Sequence, residues 1–205
     1  MRQSSQLVSF FPTELGWFGL AGRGRRVERL WFGHRSQQQV RAAAARDIAG
    51  ESFSEEPNWY PVAQQLCADY AAGKRVDLSR IDVLLNTKTD LQRQVLLAVR
   101  GLEYGETASY GEIAERAGAP GAARAVGTVM SHNVIPLLIP CHRVTAAGGK
   151  LGGYSSPAGL EMKVRLLQME GAGQSVRLSK PSPGRSRTKS PVRQSRSVGI
   201  RDDQT

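Results

Sequence analysis

Three short apolar runs between residues 7 and 33 alternate with turn-forming residues, a pattern typical of consecutive β-strands. The basic turn at 22–26 is expected to be a solvated hairpin tip, with phosphate contact as the alternative. Alanines dominate residues 37–48, where we predict a helix, and the polar residues 50–58 are expected to form a loop. The first part of the chain is therefore predicted to be a small β-rich unit with a helix.

Farther along, the apolar period changes to that of a helix. Pro61 suits the first helical position, and Gly73 ends the segment. The apolar stripe of this predicted helix consists of Val62, Leu66 and Tyr70. Cys67 falls beside the stripe, so it is interpreted as a core or surface thiol and not as a nucleophile. Charged residues interrupt 74–88, which we interpret as a linker.

A second, mainly helical unit is predicted from Thr89 onward. Its first helix runs to Arg100 and has one apolar face, formed by Leu91, Val95, Leu96 and Val99. Its last helix is predicted from Ala158 to Glu170, with a face formed by Leu160, Val164 and Leu167. Between them, the glycine-rich segment 148–156 allows the backbone to approach a ligand closely.

Two short helices in the middle of this unit predict a helix-turn-helix. Ser109 and Glu112 fit a capping box at the start of the first helix, which Gly118 ends. After a tight turn, the second helix is predicted from Ala122 to Ser131. Its small side chains surround one long cation, Arg124, so it could come close to a nucleic-acid backbone. An alanine-rich core helix with one solvated arginine is the alternative.

A cysteine follows an apolar run that lies between two prolines. Pro140 fixes its own φ angle and favours an extended Ile139, so the run cannot continue as a helix. The resulting rigid turn would hold the Cys141 thiol in one orientation. Free cysteines are often buried for packing alone, so the thiol by itself does not indicate chemistry. The neighbours His142 and Arg143 favour a reactive group.

The formal net charge of +10 over 205 residues predicts attraction to polyanions, with nucleic acid first and an anionic membrane surface as the alternative. Eight basic and two acidic side chains lie in the serine- and proline-rich segment 172–205, so most of this charge is in a tail that we expect to be disordered. The tail is expected to be solvated, with weak phosphate binding as its alternative role.

Several classes of protein are not expected. No apolar run approaches the roughly 20 residues that span a bilayer, and the N-terminus does not have the pattern of a signal peptide. The two cysteines and three histidines lack the spacing of zinc ligands, so no metal site is predicted. A free thiol in a reducing cytosol is the better interpretation, which predicts a cytoplasmic protein.

Together, several motifs resemble the O6-alkylguanine-DNA alkyltransferases, also called methylated-DNA–protein-cysteine methyltransferases. The resemblance is close over residues 89–171 and loose over 7–88. The matching motifs are Gly105–Ala114, Ala122–Gly127, Asn133, Ile139–Val144, Gly152–Ser155, Gly159-Leu160 and Met169–Gly171. It implies an α/β N-terminal domain of ribonuclease-H-like appearance over 1–86. It also implies a mainly α, winged-helix-like domain carrying the helix-turn-helix over 87–171.

The resemblance also implies roles for single residues. Cys141 would accept the alkyl group, and His142, oriented by Glu170, would take the thiol proton through a water. Asn133 would brace this network. Tyr110 would rotate the target phosphate and later donate toward the base.

The resemblance further implies that the base is turned out of the duplex, because a thiol cannot reach it inside the stack. An arginine fills the vacated space in the family, and Arg124 matches it. The implied DNA contacts are Ser109, Tyr110, Ala123, Arg124 and Gly127. The implied substrate pocket consists of Met130, Pro136, Val144, Tyr154 and Ser155. The main-chain carbonyls of Cys141 and Val144 would accept hydrogen bonds from the exocyclic amine.

The implied activity is irreversible repair of O6-alkylguanine, and of O4-alkylthymine, in double-stranded DNA. Each molecule would act once, as a monomer and without a cofactor, because the thioether product is stable. One alternative is a non-catalytic protein that recognises alkylguanine and recruits other repair factors, although such relatives lack the cysteine. Another is a cysteine hydrolase, although those usually take their histidine from a distant segment.

Two positions depart from the family pattern. Ser131-His132 stands where many relatives have a basic or small residue, which bears on phosphate contact. The loop at 156–158 is longer than in some relatives, which bears on pocket width and alkyl preference.

Overall fold

The structure, a computed structural model, describes residues 6–154, 156 and 158–172. Within this part of the chain, the N-terminal strands form a four-stranded sheet in the order β3-β2-β1-β4. The strands are β1 (Gln6–Thr13), β2 (Gly16–Arg23), β3 (Arg26–His34) and β4 (Phe53–Glu55). The first three are antiparallel neighbours, as in the pair of Phe11 and Phe18, and β4 lies parallel to β1. The strands predicted between residues 7 and 33 are confirmed.

Apolar side chains cover both faces of the sheet. On one face, Val8, Ala21 and Trp31 pack against the predicted alanine-rich helix, α1 (Gln37–Asp47). The other face packs against α2 (Pro61–Ala71) and against the helices of the second unit. A sheet that is buried on both faces does not need strict alternation of apolar and polar residues. This explains why the alternation in the sequence is imperfect.

The segment 50–58 is not entirely a loop, so that prediction was wrong at its centre. Phe53–Glu55 pairs with the edge of β1 as strand β4, with Val8 opposite Glu55. The strand has only three residues, and Ser54 and Glu55 are exposed. This strand forms through its hydrogen bonds to the open edge of β1. It could not be predicted, because its sequence has no apolar pattern.

The segment 74–88 packs against β3 and is not a free linker. The amide of Val27 donates to the carbonyl of Asp82 (2.8 Å), and the amide of Leu84 donates to the carbonyl of Val27 (2.9 Å). The buried side chains of the segment are Leu78 and Ile81. Two apolar anchors among many charges were too sparse to indicate this packing from the sequence.

Helix α2 has the predicted position, and its predicted apolar stripe is confirmed at Tyr70 but wrong at Val62. Val62 is 60% exposed, whereas Ala63, Cys67, Tyr70 and Ala71 are buried. Leu66, the third residue of the stripe, is half-buried against the core, and the small side chains of Ala63 and Cys67 extend the buried face. Cys67 is consequently a core thiol.

The helices of the second unit also form where they were predicted. They are α3 (Asp90–Arg100), α4 (Tyr110–Arg116), α5 (Ala123–Ser131) and α6 (Gly159–Met169). The capping box of α4 is present, because Ser109 Oγ accepts from the amide of Glu112 while the Glu112 carboxylate accepts from the amide of Ser109. In α6 the predicted face is partly wrong: Leu160 is 41% exposed, and Met162, Lys163, Leu166 and Leu167 are buried.

A two-stranded pairing fixes the centre of the second unit. Strand β5 (Ala108–Ser109) lies parallel to β6 (Val144–Thr145), with Ala108 opposite Val144. Because β5 leads directly into α4, this pairing places the start of α4 beside the segment that carries Cys141.

One continuous cluster of buried side chains lies on both sides of the predicted boundary at 86/87. It includes Phe18 and Tyr70 from the first unit and Val95, Ile113 and Ile139 from the second. No helix in the described ranges is long and apolar enough to cross a bilayer. The predicted tail lies outside the described residues, except for Ala172.

Candidate active site

Cys141 lies on a tight turn at the end of a buried run, as the two prolines predicted. The run 135–140 is buried except at Pro136, and Cys141–Arg143 forms a single 3₁₀ turn. Two short-range hydrogen bonds close the turn, from the amide of Cys141 to the carbonyl of Ile139 (2.7 Å) and from the amide of Arg143 to the carbonyl of Pro140 (2.9 Å). The thiol is half-buried and its position is set by this backbone.

Asn133 ties the two ends of the buried run together. Its Nδ2 donates to the carbonyl of Ile139 (2.9 Å), and its Oδ1 accepts from the amide of Ile135 (3.1 Å). The asparagine therefore holds the residue that lies two positions before the thiol. Asn133 also lowers the pKa of the Cys141 thiol, which partly offsets the effect of burial.

A cavity of about 210 Å³ opens at the thiol. It is smaller than the roughly 300 Å³ at which sites for drug-sized ligands begin, so its size suits a single flat ring system. Its lining consists of Tyr110, Gly127, Met130, Ser131, Cys141, Gly153 and Tyr154. The start of α4, the end of α5 and the glycine-rich loop thus meet at one sulfur atom.

The ring of Tyr110 packs closely against the glycine-rich loop. A Cβ atom on Gly152, which has a φ of +67°, would lie 2.9 Å from the Tyr110 hydroxyl oxygen. Only glycine combines this backbone angle with so close an approach. The loop therefore forms a wall of the cavity, as its composition suggested.

His142 and Glu170 form a buried hydrogen-bonded pair behind the thiol. His142 Nε2 lies 2.9 Å from Glu170 Oε1, and both side chains are inaccessible to solvent. Glu170 is the C-cap residue of α6, where an acid is electrostatically disfavoured, so specific partners must hold it there. The structure brings these two predicted residues together as the resemblance implied.

Arg143, which sequence reasoning left without a role, completes the environment of Glu170. Its Nε donates to Oε2 and its Nη2 donates to Oε1, both at 2.8 Å, while its Nη1 donates to the carbonyl of Leu102 (2.7 Å). The amide of Gly105 also donates to Oε2 (3.2 Å). Gly105 has a φ of +82°, and a Cβ there would lie 2.7 Å from the carbonyl oxygen of Glu170.

Two further polar residues at the site were missed in the sequence. Tyr70 of α2 donates its hydroxyl to Glu170 Oε1 at 2.5 Å. Lys163 of α6 is fully buried, and its Nζ donates to the carbonyls of Val144 and Leu151. Tyr70 belonged to a predicted apolar stripe, and Lys163 is the neighbour of Val164, a residue of another such stripe. Neither residue was therefore recognised as part of the site. The available signal was that Lys163 lies three positions after Leu160 and four before Leu167, on the predicted apolar face of the helix.

The titration of the site is shaped mainly by burial. Burial raises the pKa of the Cys141 thiol, and the Asn133 hydrogen bond and the charge of Lys163 oppose this rise without cancelling it. Burial also lowers the pKa of His142, against the raising effect of Glu170. At neutral pH the site therefore holds a protonated thiol and a neutral imidazole, which can accept a proton.

One imidazole nitrogen is available for that proton. Nε2 faces the Glu170 carboxylate and must carry hydrogen, because an ionised carboxylate can only accept. Nδ1 is buried and makes no hydrogen bond to any atom of the described residues. The imidazole is therefore oriented with its basic nitrogen free.

The helix-turn-helix presents small residues and one cation on its outer side. Arg124 is exposed, and Ala123 and Gly127 are half-buried on the same helix. A Cβ on Gly127 would meet no atom within 4 Å, so this part of α5 is open. Because Gly127 also lines the cavity, the surface of α5 leads directly to the thiol.

Not every predicted pocket residue lines the cavity of Cys141. Met130 and Tyr154 do, but Pro136 lines a separate cleft beside Trp31, because the run reverses at Leu137, whose φ is +69°. The side chain of Val144 is fully buried and is not among the lining residues. Ser155 lies outside the described residues.

The two carbonyls predicted to bind the exocyclic amine each already accept one hydrogen bond. The Cys141 carbonyl accepts from the amide of Val144, and the Val144 carbonyl accepts from Lys163 Nζ (2.6 Å). A carbonyl oxygen has two lone pairs, so each can accept a second donor. Within the described part of the chain, no three His, Cys, Asp or Glu side chains group as a metal site.

Comparison with known proteins places this site in a family context. A family model described as "6-O-methylguanine DNA methyltransferase, DNA binding domain" matches residues 90–172. The methylated-DNA–protein-cysteine methyltransferase of Mycolicibacterium paratuberculosis is 45% identical over 119 residues, which cover 58% of this chain and 69% of the relative. The protein of the same name from Methanosarcina barkeri is 46% identical over 152 residues, covering 74% of this chain and 88% of the relative.

Solved structures extend the similarity beyond the family-model match. Mycobacterium tuberculosis OGT in complex with DNA is 33% identical, with a TM-score of 0.66, and the match covers 83% of this chain and 94% of the other. The mixed sheet and the helices that surround it are thus common to both proteins, and the match extends over most of the described residues.

Proposed function

The chain belongs to the family of the methylated-DNA–protein-cysteine methyltransferases, and we propose that it repairs DNA by moving an alkyl group from O6 of guanine to its own Cys141. DNA repair by alkyl transfer is the activity of the family, and binding to DNA accords with the matched DNA-binding domain. The acceptor and the substrate atom are our assignment.

The observation that carries this assignment is the position of the Cys141 thiol. It lies on the wall of a base-sized cavity whose other walls come from Tyr110, from α5 and from the glycine-rich loop. A base inside a DNA duplex cannot reach such a cavity, so it must be extruded from the stack. Arg124, which is exposed on α5, is the residue that we assign to fill the space that the base leaves.

The chemistry begins with a proton transfer. Because burial keeps the thiol protonated at neutral pH, the proton must leave as the sulfur attacks. His142 accepts it at Nδ1, through a bridging water, and Glu170 stabilises the imidazolium that forms. This division of roles requires that the imidazole is neutral beforehand, which its lowered pKa favours.

The transfer forms one bond and breaks another. The sulfur of Cys141 bonds to the alkyl carbon, the bond from that carbon to O6 breaks, and its electron pair stays on the guanine. A hydrogen bond from the Tyr110 hydroxyl toward the base stabilises the departing purine anion, which then takes up one proton, while the imidazolium of His142 gives up the proton that it took from the thiol. The product is a thioether and unmodified guanine, so each protein molecule acts once. The DNA supplies the alkyl group, and the proposed chemistry uses no cofactor.

Several finer features remain predictions. These are the ribonuclease-H-like and winged-helix-like character of the two units, their boundary at 86/87, activity on O4-alkylthymine, the monomeric state and a cytoplasmic location. The contacts of Ser109 and Ala123 to DNA and the pocket role of Ser155 are predictions as well.

The test uses duplex DNA with a labelled methyl group on O6 of guanine, in excess over protein. We expect a single label on each protein molecule, located on Cys141, and no further transfer. Cys141→Ala should bind the same duplex without taking up label.

The other outcomes separate the alternatives. Binding without transfer by the parent protein would indicate a recognition protein that recruits other repair factors. Continued turnover, with label released to solvent, would indicate a hydrolase. Either result would overturn the proposed function.

A further inference from the structure

Tyr70 connects the N-terminal unit to the proposed proton acceptor. It lies in α2, outside the residues 90–172 that the family model matches. Its side chain is fully buried, and its hydroxyl is 2.5 Å from Glu170 Oε1 and 3.3 Å from His142 Nε2. We infer that Tyr70 is a positioning residue for the Glu170–His142 pair, through which α2 controls how strongly His142 holds a proton.

The inference rests on the proposed function, and the hydrogen-bond count at Glu170 supports it. Oε1 receives the Tyr70 hydroxyl, His142 Nε2 and Arg143 Nη2, at 2.5, 2.9 and 2.8 Å. Because an ionised carboxylate only accepts, each of these groups must donate a hydrogen. Three donors therefore share the negative charge of one oxygen, and each weakens the attraction that the others feel.

Tyr70 is the member of this set that stays neutral throughout the reaction. Arg143 keeps its charge throughout, whereas His142 gains a proton during the reaction in our proposal. The phenol therefore takes part of the Oε1 charge that would otherwise stabilise the imidazolium. The charged and titratable groups that act on His142 are Glu170 and Lys163 from α6, Arg143 from its own turn, and Tyr70 from α2.

A buried tyrosine usually finds a hydrogen-bond partner, so a purely structural role is the alternative. The two roles predict different results for the hydroxyl group. A structural role predicts a loss of stability and no change in the acid–base behaviour of the reaction. A positioning role predicts a changed pH dependence in a protein that is still folded.

The experiment measures single-turnover alkyl transfer at saturating duplex DNA as a function of pH, in the parent and in Tyr70→Phe. Phenylalanine fills the same space and removes only the hydroxyl. With one donor fewer, Oε1 attracts the imidazolium more strongly, so His142 retains its proton to higher pH. We expect the acid-side loss of rate to move up by about half a pH unit to one unit. The plateau rate should fall by about three- to tenfold, with the DNA affinity unchanged.

Tyr104→Phe is the matched control. Tyr104 packs edge-on against Tyr70, with ring centroids 6.2 Å apart, but its hydroxyl donates to the carbonyl of Met169 (3.0 Å). This variant should lose a similar amount of melting temperature and keep the parent pH profile. A Tyr70→Phe profile identical to that of Tyr104→Phe would overturn the inference.

A second substitution keeps the test decisive if Tyr70→Phe does not fold. Difluorotyrosine placed at position 70 keeps the shape and is a stronger hydrogen-bond donor. It should move the acid-side loss of rate to lower pH, opposite to phenylalanine, and an unmoved profile would overturn the inference. Absence of transfer in the parent protein would instead contradict the proposed function, so the two failures can be distinguished.

Discussion

Arg143 and Glu170 form a two-point ion pair in the interior, with both nitrogen–oxygen distances at 2.8 Å. Burial alone would raise the pKa of Glu170. The hydrogen bonds from His142 and Arg143 outweigh it and hold the pKa of that carboxyl well below its usual range. The partner of His142 is therefore an anion at neutral pH because Arg143 keeps it ionised.

Removal of the Glu170 charge should lower both the stability of the folded protein and the rate of alkyl transfer. In Glu170→Gln the buried guanidinium of Arg143 loses its counter-charge, so we expect about 3 kcal/mol less free energy of unfolding. Alkyl transfer should also slow, since the imidazolium of His142 is no longer stabilised. Denaturant unfolding at pH 7 measures the first effect. Glu161→Gln, at an exposed position in the first turn of the same helix, should change stability by at most about 0.5 kcal/mol.

The ion pair of Arg143 and Glu170 also predicts how stability depends on pH. The folded pKa of Glu170 is depressed, so the unfolded chain binds this proton first, near its ordinary value of about 4.3. The stabilisation is complete above that value and is lost as the pH falls below it toward the folded pKa. The stability difference between parent and Glu170→Gln should thus shrink from pH 7 to about 3. A constant difference would contradict this account.

Lys163 should support the thiolate of Cys141. Burial lowers the pKa of Lys163 to about 8, so its side chain is still mostly protonated at pH 7. This positive charge lowers the pKa of the thiol. In Lys163→Met the thiol pKa should rise by half a unit to one unit, which slows alkylation by iodoacetamide about three- to tenfold. Lys150→Met, at an exposed position of the glycine-rich loop, should react like the parent. Faster alkylation of Lys163→Met would indicate unfolding instead.

Arg124→Ala should impair extrusion of the base more than binding of DNA. Unstacking a base costs a few kcal/mol, so the loss of the residue that fills the gap should slow transfer from duplex by about tenfold or more. Transfer from the free base, where nothing is extruded, should be unchanged. Arg116→Ala, which removes an exposed arginine of α4, is the control. Equal rates for the parent and Arg124→Ala on duplex DNA would remove this role.

The two cysteines should differ sharply in reactivity. Cys67 is fully buried, and burial raises its pKa to about 12, whereas Cys141 is half-buried at a cavity. Mass spectrometry of the native protein treated with iodoacetamide should find Cys141 alone modified. Both should react in guanidinium chloride. Comparable labelling of Cys67 in the native protein would contradict the described packing.

Local sequence patterns predicted most elements of the fold. The capping box at Ser109, the glycine at 118 and the prolines around the buried run depend on nearby residues only, so their consequences could be foreseen. Strand β4 could not, because it is ordered by the edge of β1. The extent of the buried face of α2 could not be predicted, because Ala63, Cys67 and Ala71 are small enough to lie either in the core or at the surface.

The site was predictable to the extent that its residues are adjacent in the chain or match family motifs. Tyr70 contacts Glu170 from 100 positions away, and Lys163 bonds to backbone carbonyls that any residue could supply. Neither contact has a local pattern. Arg143 stood beside the histidine, but only the fold revealed that its guanidinium turns inward to the acid.

The most direct test of the central claim is the mass of the protein after reaction. The parent protein is mixed with an equimolar duplex that carries a single O6-methylguanine, and the digested protein and DNA are both analysed. We predict that the peptide containing Cys141 gains the mass of one methyl group while the modified base becomes guanine. Loss of the methyl group from the DNA with an unmodified Cys141, or a methyl group on any other residue, would contradict the account.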